Sequence, residues 1–419
     1  MKKFLPICVI CFFSVFAGCS RKADWVQFRG EGGRGVSLSR ITPPLGLRWK
    51  IKLQESEEKI RSLNPPVVIG DTIYFGSDDG NFYALDVDSG YMRWVFKSGA
   101  EINSVPYADK EQVYFGSKDG KLYALSRETG QEAWNFPVRS QINSQVQRYK
   151  DYIVFVGDAD AIYFLSPDGK EQFRIHNPGW YNFTFLMADD VMYFATGPRV
   201  DQVGPFDINS REFLWFLPYH DIDATWYSFC ALRGDLLYLG TADFYFGTPI
   251  GTTLGFYAIN RHTGKIVWEQ KRDGDFKDWL SLGARSQDYR DFEKEIMLFT
   301  RNIGLLDFMA PTVWKDLVIW TGGDNAARAF DADTGILRWE KVFDTPISSA
   351  PTLAAGRVYF GVLGDDRNPP EIVCLSAQDG RLLWRMETEG SVLSAPVIAG
   401  KRIIFGTDLS VFYVLEQIF

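Results

Sequence analysis

From about residue 45 to 415 the chain alternates short apolar runs with polar, Gly-containing turns, at the lengths of β-strands and hairpins. The segment Tyr74-Phe75-Gly76-Ser77-Asp78-Asp79-Gly80-Asn81-Phe82-Tyr83-Ala84-Leu85-Asp86 returns as Tyr114-Phe115-Gly116-Ser117-Lys118-Asp119-Gly120-Lys121-Leu122-Tyr123-Ala124-Leu125-Ser126. A turn Gly and, four residues on, a Trp follow each copy: Gly90 and Trp94, then Gly130 and Trp134. The same spacing recurs at Gly169 and Phe173, Gly264 and Trp268, Gly335 and Trp339, and Gly380 and Trp384. Arg211 replaces the Gly before Trp215, so that turn should differ, because Gly is there for positive φ. Trp49 stands alone before the first full repeat.

The aromatics thus number eight, and so do the second-strand cores, from Tyr74-Phe75-Gly76 to Ile404-Phe405-Gly406. Each unit reads as four strands: an apolar run often opening Ala-Pro (Ala310-Pro311, Ala350-Pro351, Ala395-Pro396), the Tyr-Phe-Gly run, the Tyr-Ala-Leu run and the Trp strand. Four-stranded units of ~40 residues are propeller blades. Trp49 lacks the first three strands and Ala395 to Leu415 lacks the fourth, so the two ends should complete one blade and leave no free edge. The pattern predicts an all-β, eight-bladed β-propeller of four-stranded blades over 45–419.

The N-terminus reads as an address. Lys2 and Lys3 precede an almost wholly apolar stretch, Phe4 to Phe16, then Ala17, Gly18, Cys19 and Ser20, the signature of a secretory signal peptide over 1–18. The ending resembles a bacterial lipobox, with Phe16 where Leu is usual, and this resemblance makes Cys19 the lipidated residue. Residues 19–44 are then expected to be a tether. Cys8 and Cys11 leave with the signal peptide, and only Cys230 and Cys374 remain, both in strand-like apolar runs. They read as buried thiols, with a bridge between them left open.

Composition agrees. Aromatics are 16% of residues and Gly numbers 38, which suits pleated strands and tight turns. Lys+Arg is 45 against Asp+Glu 53, and loss of Lys2 and Lys3 with the signal peptide makes the chain more acidic still, which argues against a nucleic-acid partner.

The repeat Tyr-Phe-Gly-Ser-x-Asp-Gly-x-x-Tyr-Ala-Leu-Asp-x-x-(Ser/Thr)-Gly-x-x-x-Trp resembles the PQQ-type propeller repeat. Trp25-Val26-Gln27-Phe28-Arg29-Gly30 is similar to the opening of many secreted bacterial proteins that carry it. Two groups share the repeat: quinoprotein alcohol and sugar dehydrogenases, and non-enzymatic propellers typified by the BamB outer-membrane assembly lipoproteins. A quinoprotein needs a quinone on the propeller axis, Ca²⁺ on oxygen ligands and an Asp base. Many also have a vicinal Cys pair, which is missing here, and their chains are longer. No cofactor is therefore expected, neither PQQ nor Ca²⁺, and no catalysis. The Trp residues read as docking residues between blades.

His176 and His220 fall in neighbouring blades on one face and His262 on the other, which disfavours a three-His zinc site. Most Asp and Glu sit in turns, and Gly30-Glu31-Gly32-Gly33-Arg34-Gly35 precedes no helix signal.

The informative departures are insertions. Asp243 to Thr253 and Gly364 to Pro370 lengthen the connection between strands two and three, as does Pro198 to Pro205. The largest, about 273–307, follows strand four of the fifth repeat and holds an expected amphipathic helix over 286–301. All four should crowd one face. Phe244, Tyr245, Phe246, Trp279, Tyr289, Phe292, Asp365 and Asp366 are the candidate partner-binding residues there. The resulting expectation is an exported, lipid-anchored scaffold, at the outer membrane facing the periplasm, that binds the β-barrel assembly machinery. A quinoprotein-like dehydrogenase or small-ligand (sugar) binder is the alternative.

Overall fold

The computed structural model describes residues 24–53, 64–157, 161–176, 184–195, 202–218, 226–242, 252–274, 310–322 and 324–418. They form eight antiparallel sheets arranged as the blades of one propeller. Blade one is typical: an inner strand Val67–Ile69, a second strand Thr72–Gly76, a third Asn81–Asp86 and an outer strand Met92–Lys97. The second strand is buried throughout and the third is buried or half-buried, because each lies between neighbouring blades. The outer strand alternates exposed and half-buried residues, since only one of its faces is covered.

The ring closes as expected. The outer strand of blade eight is Leu45–Lys52, paired with Val411–Gln417 near the C-terminus, and Arg402–Gly406 and Val397–Ala399 complete the sheet. No sheet edge is left between the first blade and the last.

Strand direction defines two faces. The turns joining strand one to two and strand three to four lie on one face, here the turn face. The connections from strand two to three, and from blade to blade, lie on the loop face.

Blades dock by a repeated contact. The Trp49 ring lies over Gly90 of the next blade and donates Nε1–H to Val87 O at 3.0 Å. Trp94, Trp134, Trp215, Trp268 and Trp339 repeat it on Gly130, Gly169, Gly264, Gly335 and Gly380. Their indoles donate to Arg127 O, Pro167 O, Arg261 O, Ala332 O and Ala377 O. Indole suits this place because it buries a large ring and keeps a donor for an otherwise orphaned turn carbonyl.

The interface between blades three and four is built differently, as the sequence implied. Phe173 replaces Trp, and Arg211 replaces Gly at φ 61, with its guanidinium over the Phe173 ring at 5.0 Å. The smaller ring leaves room for a side chain.

Ser residues ahead of the inner strands are pins within a blade. The Oγ atoms of Ser104, Ser144, Ser228 and Ser349 accept from the N–H of Gly116, Val156, Gly240 and Gly361. All four are fully buried and thereby satisfied.

Candidate functional site

The described residues carry two features beyond the ring itself: a filled axis and a loop face built up unevenly. The axis is filled by the segment that the sequence suggested only as a tether. Residues 24–44 are packed structure. Trp25, 2% exposed, pairs antiparallel with Val68 of blade one through two backbone hydrogen bonds of 2.7 and 2.8 Å. Val26 O accepts from Ala108 N of blade two. Phe28 meets Phe229 of blade five edge to face at 5.2 Å.

The chain then reverses over Arg29–Gly35, through a single 3₁₀ turn at Glu31–Gly33. Gly33 is required there: at φ +66, a Cβ would meet Leu186 of blade four at 2.8 Å and Phe229 at 3.1 Å. On the return, Thr312 of blade six donates to Arg34 O, and Val36 and Ser37 pair in parallel with Leu353 and Ala354 of blade seven. Ser37 donates to Ile398 O of blade eight.

One hairpin thus touches seven blades, at or beside their inner strands. Its tip is held by Arg29, 2% exposed, whose Nη2 donates to Pro311 O at 2.9 Å and Pro351 O at 3.3 Å. Those carbonyls open the inner strands of blades six and seven, so the tip reaches the loop-face end of the axis.

The loop face rises over blades four and five. In blade five the third and outer strands are Thr252–Asn260 and Ile266–Gly274, nine residues each, against six in blade one. Trp226–Tyr227 adds a further pairing on Thr241 and Ala242. In blade four, Gln202–Val203 pairs with Leu217–Pro218 beyond the regular hairpin. Both large insertions of repeat five leave from the loop-face end of this one long hairpin. The second begins later than its expected start, because Asp273 is still paired with Thr253 in the outer strand.

The candidate residues divide accordingly. Cys19, Phe244, Tyr245, Phe246, Trp279, Tyr289 and Phe292 lie outside the described residues, as do His220 and the expected helix over 286–301. Asp365 and Asp366 lie on the loop face of blade seven, both exposed. Asp365 is committed to its own turn: its Oδ1 accepts from the N–H groups of Arg367 and Asn368, each at 2.7 Å. Those bonds hold its carboxyl below the usual carboxylate range.

His176 ends the outer strand of blade three near the loop face. His262 sits in a turn on the opposite face, 3.1 Å from Asp235. Cys230 and Cys374 are free and buried, and burial pushes both thiols up to about 12. A thiol so raised is a poor nucleophile.

The sequence read Asp residues as caps of the turns between strands three and four, at Asp88 and Asp333, and the capping carboxylates lie two residues earlier. The cap is the last residue of the third strand: Asp86 accepts from Asp88 N and Ser89 N, and Asp331 from Thr334 N. Asp stands at this position three residues ahead of the turn's last Ser or Thr in Asp86, Asp207 and Asp331, which was the available signal. Arg328, 4% exposed, is likewise closed off, between Asp324 and Glu340 at 2.7 Å each. Among the described residues, no group of three or more His, Cys, Asp or Glu is placed to hold a metal ion.

Eight four-stranded blades, six of their junctions docked by a Trp on a turn glycine, define a propeller of the PQQ-type repeat class. Within that class, the sequence model of the family described as outer membrane protein assembly factor BamB matches residues 38–149, 254–368 and 361–417, and the chain belongs to that family. No curated protein sequence matches the chain.

Among solved structures, BamB from Moraxella catarrhalis superposes with a TM-score of 0.60 at 15% identity, over 89% of this chain and 99% of that one. Quinohemoprotein alcohol dehydrogenase ADHIIG from Pseudomonas putida HK5 superposes at 0.65 and 15% identity, over 94% and 80%. A europium-containing methanol dehydrogenase does so at 0.64 and 12% identity, over 94% and 98%. At such identities the superpositions establish the fold alone.

Proposed function

We propose that this chain is a lipid-anchored, non-catalytic scaffold that binds protein partners during assembly of outer-membrane β-barrel proteins. The observation that carries the reading is membership of the BamB family, by a match over most of the propeller. Cys19 is the anchor, and the periplasmic side of the outer membrane is the location.

The axis supports the non-catalytic half of the reading. Residues 25–37 take up the axial space that a quinone would need, with Trp25, Phe28 and Arg29 buried there among inner strands. The residues present do not suit that cofactor. The loop face supports the binding half, because long connections on a rigid scaffold are disproportionately used for recognition.

Deleting the protein from its native cell tests the proposal. The expected result is a lowered outer-membrane content of folded, heat-modifiable β-barrel proteins, restored by the wild-type chain and less well by a Cys19→Ala variant. Unchanged β-barrel content would overturn it.

A further inference from the structure

We propose that the turn face of the propeller is seated on the bilayer that holds the lipid anchor, so that the loop face points away from the membrane. This rests on the Cys19 anchor of the preceding section and adds the orientation.

The first described residue is Asp24, and it fixes where the chain enters the ring. Its carboxylate accepts from Gly70 N at 2.9 Å, and Gly70 lies in the turn between strands one and two of blade one, on the turn face. Trp25 then runs antiparallel to Val68, up the axis towards the loop face. Val36 and Ser37 run back down beside Leu353 and Ala354, just ahead of the turn at Ala355 and Gly356. The hairpin enters and leaves by the turn face.

Five residue steps separate Cys19 from Asp24, a reach of at most about 18 Å. A six-residue strand is itself about 20 Å long. A leash of that length cannot carry an acyl chain from the inner turn of blade one past the ring to the loop face. It draws the turn face, near its centre, against the lipid.

A second observation agrees. The three most exposed large apolar side chains among the described residues are Tyr91, Leu38 and Ile336, at 79%, 78% and 63%. All three are on the turn face: Tyr91 and Ile336 follow the turn glycines Gly90 and Gly335, and Leu38 follows Ser37 at the mouth of the axis. They stand at three separate points: blade one, blade six and the centre. Apolar and aromatic residues so placed suit the interfacial zone of a bilayer.

The test uses full-length, lipidated protein in vesicles of phosphatidylethanolamine and phosphatidylglycerol. Tyr91→Cys and Ile336→Cys report on the turn face, and Asp366→Cys and Leu409→Cys on the loop face. The buried thiols of Cys230 and Cys374 do not compete for a surface label. Each site carries a fluorophore, and phosphatidylcholine with a nitroxide on its headgroup is the quencher. Quenching at 91 and 336 should exceed that at 366 and 409 at least two-fold. Equal quenching on both faces, or stronger quenching at 366 and 409, would overturn the orientation alone. Mass spectrometry of the same preparation keeps the two readings apart, because an unmodified Cys19 would overturn the anchor itself.

Discussion

At the interface between blades five and six, Gly335 has φ +70, and an added Cβ would sit 2.6 Å from the Trp268 ring. Conformation and contact both oppose any side chain. Gly335→Ala should therefore destabilise by at least the roughly 1–2 kcal/mol that a left-handed L-residue costs, read as a lowered urea midpoint. Arg211 occupies the equivalent turn before Trp215 and already bears that strain, with its guanidinium stacked on Phe173. Arg211→Gly relieves the strain and loses a contact worth about 0.5–1 kcal/mol, so its midpoint should hardly move. Equal losses in the two variants would contradict this account of the docking turns. The Gly-to-aromatic spacing was fully legible in the sequence because it repeats. The partner of each ring was not, because that carbonyl belongs to the next blade, 33 residues away for Trp94 and 64 for Trp268.

Among the elements, the blades were legible and the axial hairpin was not. The four-strand pattern and the closure of blade eight by both chain ends follow from periodicity and from what each end lacks. Residues 24–41 have no period and no sheet partner nearby, and the Gly-rich stretch 30–35 reads locally as a loop. Their contacts are made with residues hundreds of positions away, as Arg29 does with Pro311 and Pro351. Only the buried aromatics Trp25 and Phe28 hinted at packing. Because Arg29 anchors the tip, Arg29→Ala should cost roughly 2–3 kcal/mol, the scale of hydrogen bonds from a charged donor. Arg34→Ala, at an exposed position on the same reversal, should leave thermal unfolding nearly unchanged. Similar shifts in both would mean that the hairpin is not held by its tip.

For the whole molecule, two independent counts of eight gave the architecture, and the insertions gave the asymmetry of the loop face. The candidate site was less legible, since aromatic residues in long insertions show where a scaffold departs from its repeat without saying what they touch. Asp365 illustrates the limit: its acidic neighbourhood suggested a contact residue, and its carboxylate serves its own turn. The seated ring leaves its uneven loop face open to a protein partner. Crosslinking in native membranes followed by pull-down of the lipidated chain tests that claim most directly, against a Cys19→Ala control and a variant lacking residues 286–301. The account predicts recovery of a β-barrel assembly protein by the wild-type chain and its loss with the insertion. Recovery of lipid alone, with no such protein, would contradict it.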